Sequence, residues 1–370
     1  MKTKKILALI LVLAITLGFA ACTSSDEDKK TNETRIIKDV KDREVTLPVN
    51  VKTIVCLGSG ATRIAAYLNV TDMIVGAEKN DAENLTVLRD YNPVYHDKLK
   101  SLPIVGDGGG SGNNNANPEA IIMLAPDVIL AAFEAEAAEE LQSQTGIPVV
   151  SVRYISTGLA NDTFYSAMRV FAEVTGTQKR CEEVLHYING LKADLNSRTS
   201  DIPEGGKLRA YAGAVTFSGQ HGFAGTYSRF GPFVAINALN VADEIDKEGY
   251  YETDFEKIAA WDPDVIFLDP GNMHLVNEEY NTNPSYFNSL RAINENRVYS
   301  MPSFNNCGTN ITYALMNAYY AGIILFPARF DDINIAEKSG EILNFFLGKN
   351  TFDAMKDGGL YYGEINNLGE

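Results

Sequence analysis

Pro118-Glu119-Ala120-Ile121-Ile122-Met123-Leu124-Ala125-Pro126-Asp127-Val128-Ile129-Leu130 aligns, at a constant offset of 137 residues, with Phe255-Glu256-Lys257-Ile258-Ala259-Ala260-Trp261-Asp262-Pro263-Asp264-Val265-Ile266-Phe267. The glutamate, an isoleucine and the Pro-Asp-Val-Ile block coincide. Each copy reads as a short helix stopped by proline, which cannot continue it, then a turn and a buried strand. The repeat predicts two lobes of related construction. The plainer alternative is two unrelated helix-to-strand joints, since Pro-Asp is a common lead-in to a strand.

The surrounding text fits the two-lobe reading. Ile36–Pro48 reads as two short strands around a polar turn at Lys41-Asp42-Arg43. Short β-branched runs follow at Thr53–Leu57, Met73–Ala77, Pro103–Val105, Asp127–Ala131 and Pro148–Val152, separated by helical or polar segments, the pattern of βα units on a parallel sheet. From Cys181 apolar residues fall at 181, 184, 185, 188, 191 and 195, a helical stripe within about Gln178–Arg198. At 1.5 Å per residue such a helix spans roughly 30 Å, the width of a small domain. It would join the lobes stiffly, with Gly176 and Pro203-Glu204-Gly205-Gly206 as breaks. The second lobe repeats the alternation with strands at Leu208–Val215, Val265–Leu268 and Val298–Met301. Helices are expected over Pro232–Leu239, Phe255–Trp261, Ser285–Asn294 and Ile311–Leu325, and Ile335–Phe346 packs at the C-terminal end. The expected fold is α/β: two Rossmann-like lobes with mainly parallel sheets joined by a long interlobe helix. The divisions are 1–21, 22–34, 35–155, 156–204 and 205–370.

Lys2, Lys4 and Lys5 precede an apolar run from Ile6 to about Ala21, the charge-then-hydrophobe order of an export signal. About 16 residues is short for a membrane helix. Gly18-Phe19-Ala20-Ala21-Cys22 resembles the lipobox of bacterial lipoproteins, with Phe19 where leucine is usual; the resemblance implies cleavage before Cys22 and diacylation of its thiol. Residues 23–34 are polar and carry no large apolar side chain, the composition of a tether. Loss of residues 1–21 leaves 29 basic against 48 acidic side chains, a formal charge of −19. That disfavours nucleic acid as a partner and confines any anion site to a local group of arginines. Cys56, Cys181 and Cys307 are scattered without CxxC spacing, so they read as free thiols rather than a zinc cage or a disulfide framework.

The opening hairpin Asp39–Pro48 leading to Lys52-Thr53-Ile54-Val55, together with the two E-x-I-x4-P-D-V-I elements, resembles the class III periplasmic binding proteins, the receptors for ferric siderophores, haem and cobalamin. The resemblance covers nearly the whole chain after the signal. It implies a helical backbone between two lobes, modest closure on a solute, no catalysis and no cofactor. The implied partners are an ABC permease with its ATPase subunits, and the membrane through the lipid anchor. In that family one glutamate on each lobe docks into arginine pockets of the permease, and the matching positions are Glu119 and Glu256. A bidentate carboxylate–guanidinium pair suits that task; an acid placed near a helix N-terminus by the macrodipole is the simpler account.

Ligands of α/β sheets bind beyond the carboxyl ends of strands. Those loops carry Arg63, then Arg153 and Tyr154, then Phe217, His221, Tyr227 and Arg229, and His274. Arginine with aromatic rings suits an anionic, aromatic metal chelate, most of all a ferric siderophore, and fits haem, a corrinoid, a nickel or cobalt complex or a molybdate-type oxyanion as well. His221 and His274 could ligate a metal or hydrogen-bond a chelate, or simply face solvent. Gly106–Asn115 is glycine-rich but lacks the Gly-Lys-Ser/Thr of a phosphate loop. No Gly-x-Ser-x-Gly, His-Glu-x-x-His or Walker A motif is present. A membrane-anchored hydrolase with an unrecognised carboxylate pair is the rival from another class, and an adhesin is disfavoured by the absence of β repeats.

Overall fold

The computed structural model describes residues 33–109, 115–154, 158–245 and 247–370. The expected export signal and the expected lipidation site Cys22 lie outside the described residues. Arg35–Glu370 is one compact unit, and among the described residues no helix is long and apolar enough to cross a membrane.

The first lobe opens with the expected hairpin, β1 (Thr34–Lys38) and β2 (Glu44–Pro48). Asp39 closes its turn: Oδ1 accepts the N–H groups of Lys41 and Arg43. Five strands then form a parallel sheet: β3 (Ile54–Leu57), β4 (Ile74–Glu78), β5 (Ile104–Gly106), β6 (Val128–Ala131) and β7 (Val149–Ser151). Their order is β5-β4-β3-β6-β7, which reverses direction between β3 and β6. The second lobe has β8 (Arg209–Gly213), β9 (Gly225–Ser228), β10 (Leu239–Asn240), β11 (Gly249–Glu252), β12 (Val265–Leu268), β13 (Val298–Ser300) and β14 (Gly363–Glu364). Its main sheet runs β10-β8-β12-β13-β14 with only β14 antiparallel, while β9 and β11 pair as a separate antiparallel ribbon.

The central strands are buried on both faces, so alternate side chains feed two cores. In β3 and β6, Ile54, Cys56, Val128 and Leu130 enter the large central cluster, whereas Val55, Leu57, Ile129 and Ala131 face an outer one. In β8 and β12, Ala210, Ala212, Val265 and Phe267 enter the same central cluster, and Tyr211, Ile266 and Leu268 the other face. Between the lobes the helix Gln178–Thr199 buries Cys181, Val184, Leu185, Ile188, Leu191 and Leu195, the stripe read from the sequence. Beside it Ile311–Leu325 is apolar almost all round and is buried accordingly. Both lobes and the helices between them therefore share one central core.

The repeat is a structural repeat. The helices Pro118–Leu124 and Phe255–Trp261 are capped by Asn117 and Asp254, bury Ile121 and Ile258, and end in the left-handed residues Ala125 and Asp262. Asp127 then accepts the N–H groups of Lys52 and Thr53, and Asp264 that of Arg209, at the starts of the neighbouring strands. Two expected helices differ. Ser285–Asn294 is two short helices, Pro284–Phe287 and Arg291–Asn294, because the core draws in Leu290, 1 % exposed, with extended backbone. Pro232–Leu239 is helical only as Gly231–Ala235, since Asn237 turns left-handed and Leu239 joins β10.

Candidate functional site

The carboxyl ends of β8, β12 and β13 surround a narrow cavity in the second lobe, walled by Thr216, Tyr227, Phe230, Asp269, Ser303 and Asn305 among others. The sheet order reverses at β8 and β12, so this is where such sheets take ligands. Asp269, 4 % exposed, accepts from Thr216 Oγ1 at 2.8 Å and from the Gly271 N–H at 3.0 Å. Burial pushes its carboxyl up to about 6 against those bonds. Asn272 Nδ2 donates to the Ala214 carbonyl and to Thr216 Oγ1. Asn305 Nδ2 donates to Tyr227 Oη at 2.8 Å. The wall is thus a polar floor under aromatic sides.

Those sides extend into a shelf at the cavity mouth. Phe217, 41 % exposed, stacks on Tyr250 with centroids 5.1 Å apart and meets Tyr227 edge-on at 5.9 Å. Tyr227 in turn packs on Phe230 and Phe304. Pairing of β9 with β11 sets Tyr227 directly across from Tyr250. His221 bonds Tyr250 Oη through Nδ1 at 2.7 Å and the Phe217 carbonyl through Nε2 at 2.8 Å. With Tyr250 donating and Nε2–H donating, the neutral ring satisfies both partners.

Backbone strain marks the same loops. Outside asparagine and aspartate, the described non-glycine residues with left-handed backbone are Ala125, Ala214, Ser218, Arg229 and Cys307. Ala125 is the repeat's helix end; the other four lie on loops around the cavity, where such strain tends to collect.

Of the residues expected from sequence, Phe217, His221 and Tyr227 come together, although both nitrogens of His221 are engaged by protein, so it supports the shelf instead of ligating. Arg229 follows β9, exposed, its N–H held by Asp243 at 2.5 Å and its guanidinium without an ion pair among the described residues. Two residues on, Gly231 brings the second lobe into backbone contact with the interlobe segment: a Cβ there would lie 2.9 Å from the Gly158 Cα and 2.7 Å from the Leu159 nitrogen. Arg153 is partly exposed at the end of β7 and paired with Glu134 at 2.7 Å, which Lys41 also contacts. His274 is exposed at the start of the helix Met273–Thr282, apart from the shelf. Tyr154 packs edge-on to Phe164 beside Arg63.

Arg63 departs most from expectation. It is fully buried, and its fork is filled by protein: Nε to Asp90 at 2.9 Å, one terminal nitrogen to the Cys307 carbonyl at 2.8 Å, the other to the Asn306 carbonyl at 2.9 Å and Asn310 Oδ1 at 2.7 Å. Burial is the largest single influence and works against its charge, but Asp90 together with Tyr154, Tyr67 and Tyr91 outweighs it and raises the pKa well above the usual value. Asp90 also accepts from Tyr67 Oη, the Tyr91 N–H and Thr312 Oγ1. A buried pair with every lone pair used is one that can persist.

Sequence reading missed Tyr250, Asn305 and Ser303. Gly249-Tyr250-Tyr251 carried a strand signal, glycine then two aromatics, but a four-residue ribbon is below the length that separates strand from loop. Ser303 and Asn305 sit in a loop with no pattern to find.

Glu119 and Glu256 are both exposed in the first turn of the two repeated helices.

A two-lobed α/β receptor, with a cleft built at the topological switch of its sheet, is the class this architecture defines. Residues 54–304 match the family described as periplasmic binding protein. The chain belongs to that family, the solute-binding components of ABC importers, which are receptors and not enzymes. It is 25% identical over 335 residues to the molybdate-binding protein MolA of Haemophilus influenzae, covering 85% of this chain and 91% of that one; the molybdate-bound structure of MolA superposes with a TM-score of 0.64 over 85% of this chain and 98% of its own. An uncharacterized ABC transporter substrate-binding lipoprotein of Bacillus subtilis, YvrC, is 22% identical, covering 81% and 90%. A periplasmic solute binding protein from Veillonella parvula shares the fold with a TM-score of 0.68 at 18% identity, covering 89% and 97%.

Proposed function

We propose that this chain is a lipid-anchored receptor that captures a metal complex bearing an organic, aromatic ligand, of the ferric siderophore class, and hands it to its permease. The observation that carries the reading is the exposed Phe217 stacked on Tyr250 at the mouth of the cavity. A bare oxyanion has no flat apolar face to lay on such a shelf, while a catecholate or similar ring has one. Arg153 and Arg229, the cations at the edges of the two lobes, would meet the anionic end of the chelate. Anchoring through Cys22 is supported by the lipobox resemblance and by the lipoprotein relative in Bacillus subtilis. Glu119 and Glu256, at matched positions on the two repeated helices, would be the docking acids. A molybdate-type oxyanion is the second reading, favoured by the similarity to MolA.

The deciding experiment is a thermal-shift panel on Arg35–Glu370 with ferric catecholates, haem, cobalamin, nickel complexes and molybdate. The proposal expects a ferric chelate to raise the melting temperature most, with the gain reduced in Phe217→Ala. Stabilisation by molybdate alone, unchanged in Phe217→Ala, would replace it with the second reading.

A further inference from the structure

We propose that Arg63 is a positioning residue for the solute cavity: from the first lobe it anchors the loop Met301–Asn310, whose near half is the cavity wall of the second lobe. The loop leaves β13 and enters the helix Ile311–Leu325. Met301, Pro302, Ser303, Phe304 and Asn305 line the cavity. The next residues, Asn306 and Cys307, offer both carbonyls to the Arg63 fork, and Asn310 closes it. Around this anchor the first lobe holds the far half of the loop, and the first turn of the helix that follows, at further points. Asn80 Nδ2 lies 3.0 Å from Cys307 Sγ, Asn310 Nδ2 donates to the Leu88 carbonyl at 2.9 Å, and Tyr313 Oη donates to the Val87 carbonyl at 2.8 Å.

The far half of the loop thus belongs by sequence to one lobe and by its bonds to the other. Asn305 transmits the consequence, because the residue beside the anchored carbonyls fixes Tyr227 Oη and, through it, one edge of the aromatic shelf. Cys307 is held with left-handed backbone at φ 47°, a conformation that relaxes if the carbonyls on either side are released. A planar fork satisfies two adjacent carbonyls and a side-chain oxygen at once, which an ammonium group on a flexible stem does not reproduce. The link to a solute rests on the cavity being the binding site; the anchoring does not.

The native thiols test it on the full chain carrying Cys22→Ser. Cys56 and Cys181 are buried and Cys307 is partly exposed, so Cys307 reports on the loop and the other two on global unfolding. With an aromatic disulfide reagent, Arg63→Lys should speed modification of Cys307 about tenfold or more while Cys56 and Cys181 stay protected, the signature of local opening. Arg63→Met should exceed that; if it fails to fold, the lysine variant decides. An unchanged Cys307 rate in folded Arg63→Lys, or an equal rise at all three thiols, overturns the anchor. A second arm uses molybdate and a ferric tris-catecholate: whichever stabilises the parent should bind Arg63→Lys at least about tenfold more weakly, or about 1.4 kcal/mol. Unaltered affinity with a loosened loop overturns the positioning role. Binding of neither probe by the parent counts against the proposed function, and the thiol rates still decide the anchor.

Discussion

Glu78 ends β4 almost wholly buried, one oxygen accepting the Gly58 N–H at 2.8 Å. Burial pushes its carboxyl up to about 8, the Gly58 bond opposing, from an ordinary value of 4.5. The folded state therefore holds this proton where the unfolded chain has released it, so the stability Glu78 contributes is fully present below about 4.5 and is lost as pH rises through about 8. Over that window the loss is on the order of a few kcal/mol. Glu78→Gln should flatten the melting temperature between pH 5 and 8, read by calorimetry; a profile that keeps the parent's slope would show that another group is responsible. Single residues were the least legible part of the sequence. Arg63 stands out in the sequence by its place beyond the end of a strand, yet the carbonyls and side-chain oxygen that fill its fork lie 243 to 247 positions away. His221 reads in the sequence as a loop histidine able to ligate or hydrogen-bond, and its bonds to Tyr250 and Phe217 depend on a ribbon that carries almost no periodic signal.

At the scale of elements, the two repeated joints explain why their shared residues recur. Proline stops each helix, the preceding residue turns left-handed, and the aspartate after proline fixes the start of the adjacent strand. Asp264→Ala leaves the Arg209 N–H without its acceptor and should cost about 1–3 kcal/mol in urea denaturation. Ala125 adopts φ 46°, a region alanine enters at a cost. Ala125→Gly should therefore stabilise the chain by about 0.5–1 kcal/mol; a destabilised variant would mean that unfolded-state entropy outweighs the relieved strain. These elements were legible because proline and helical periodicity are local signals. The apolar stripe of the interlobe helix was legible for the same reason, although the helix runs one residue past its expected end, to Thr199. The helix expected over Ser285–Asn294 failed because burial of Leu290 is a tertiary demand, and local propensity yields to it.

For the whole molecule, one central core runs through both lobes and the helices between them. Wide opening would expose that core and the Arg63–Asp90 pair together, so only small lobe movements are compatible with a folded chain. Under the docking proposal such movements still change the spacing of Glu119 and Glu256. Replacing both by alanine should abolish solute uptake by cells while leaving solute affinity as it was; loss of affinity in that double variant would count against docking. Gly158, near the start of the interlobe segment, and Gly231 of the second lobe meet backbone to backbone with no side chain between them. A methyl group at position 231 would stand 2.7 Å from the Leu159 nitrogen and 2.9 Å from the Gly158 Cα, so Gly231→Ala must push the second lobe off the interlobe segment.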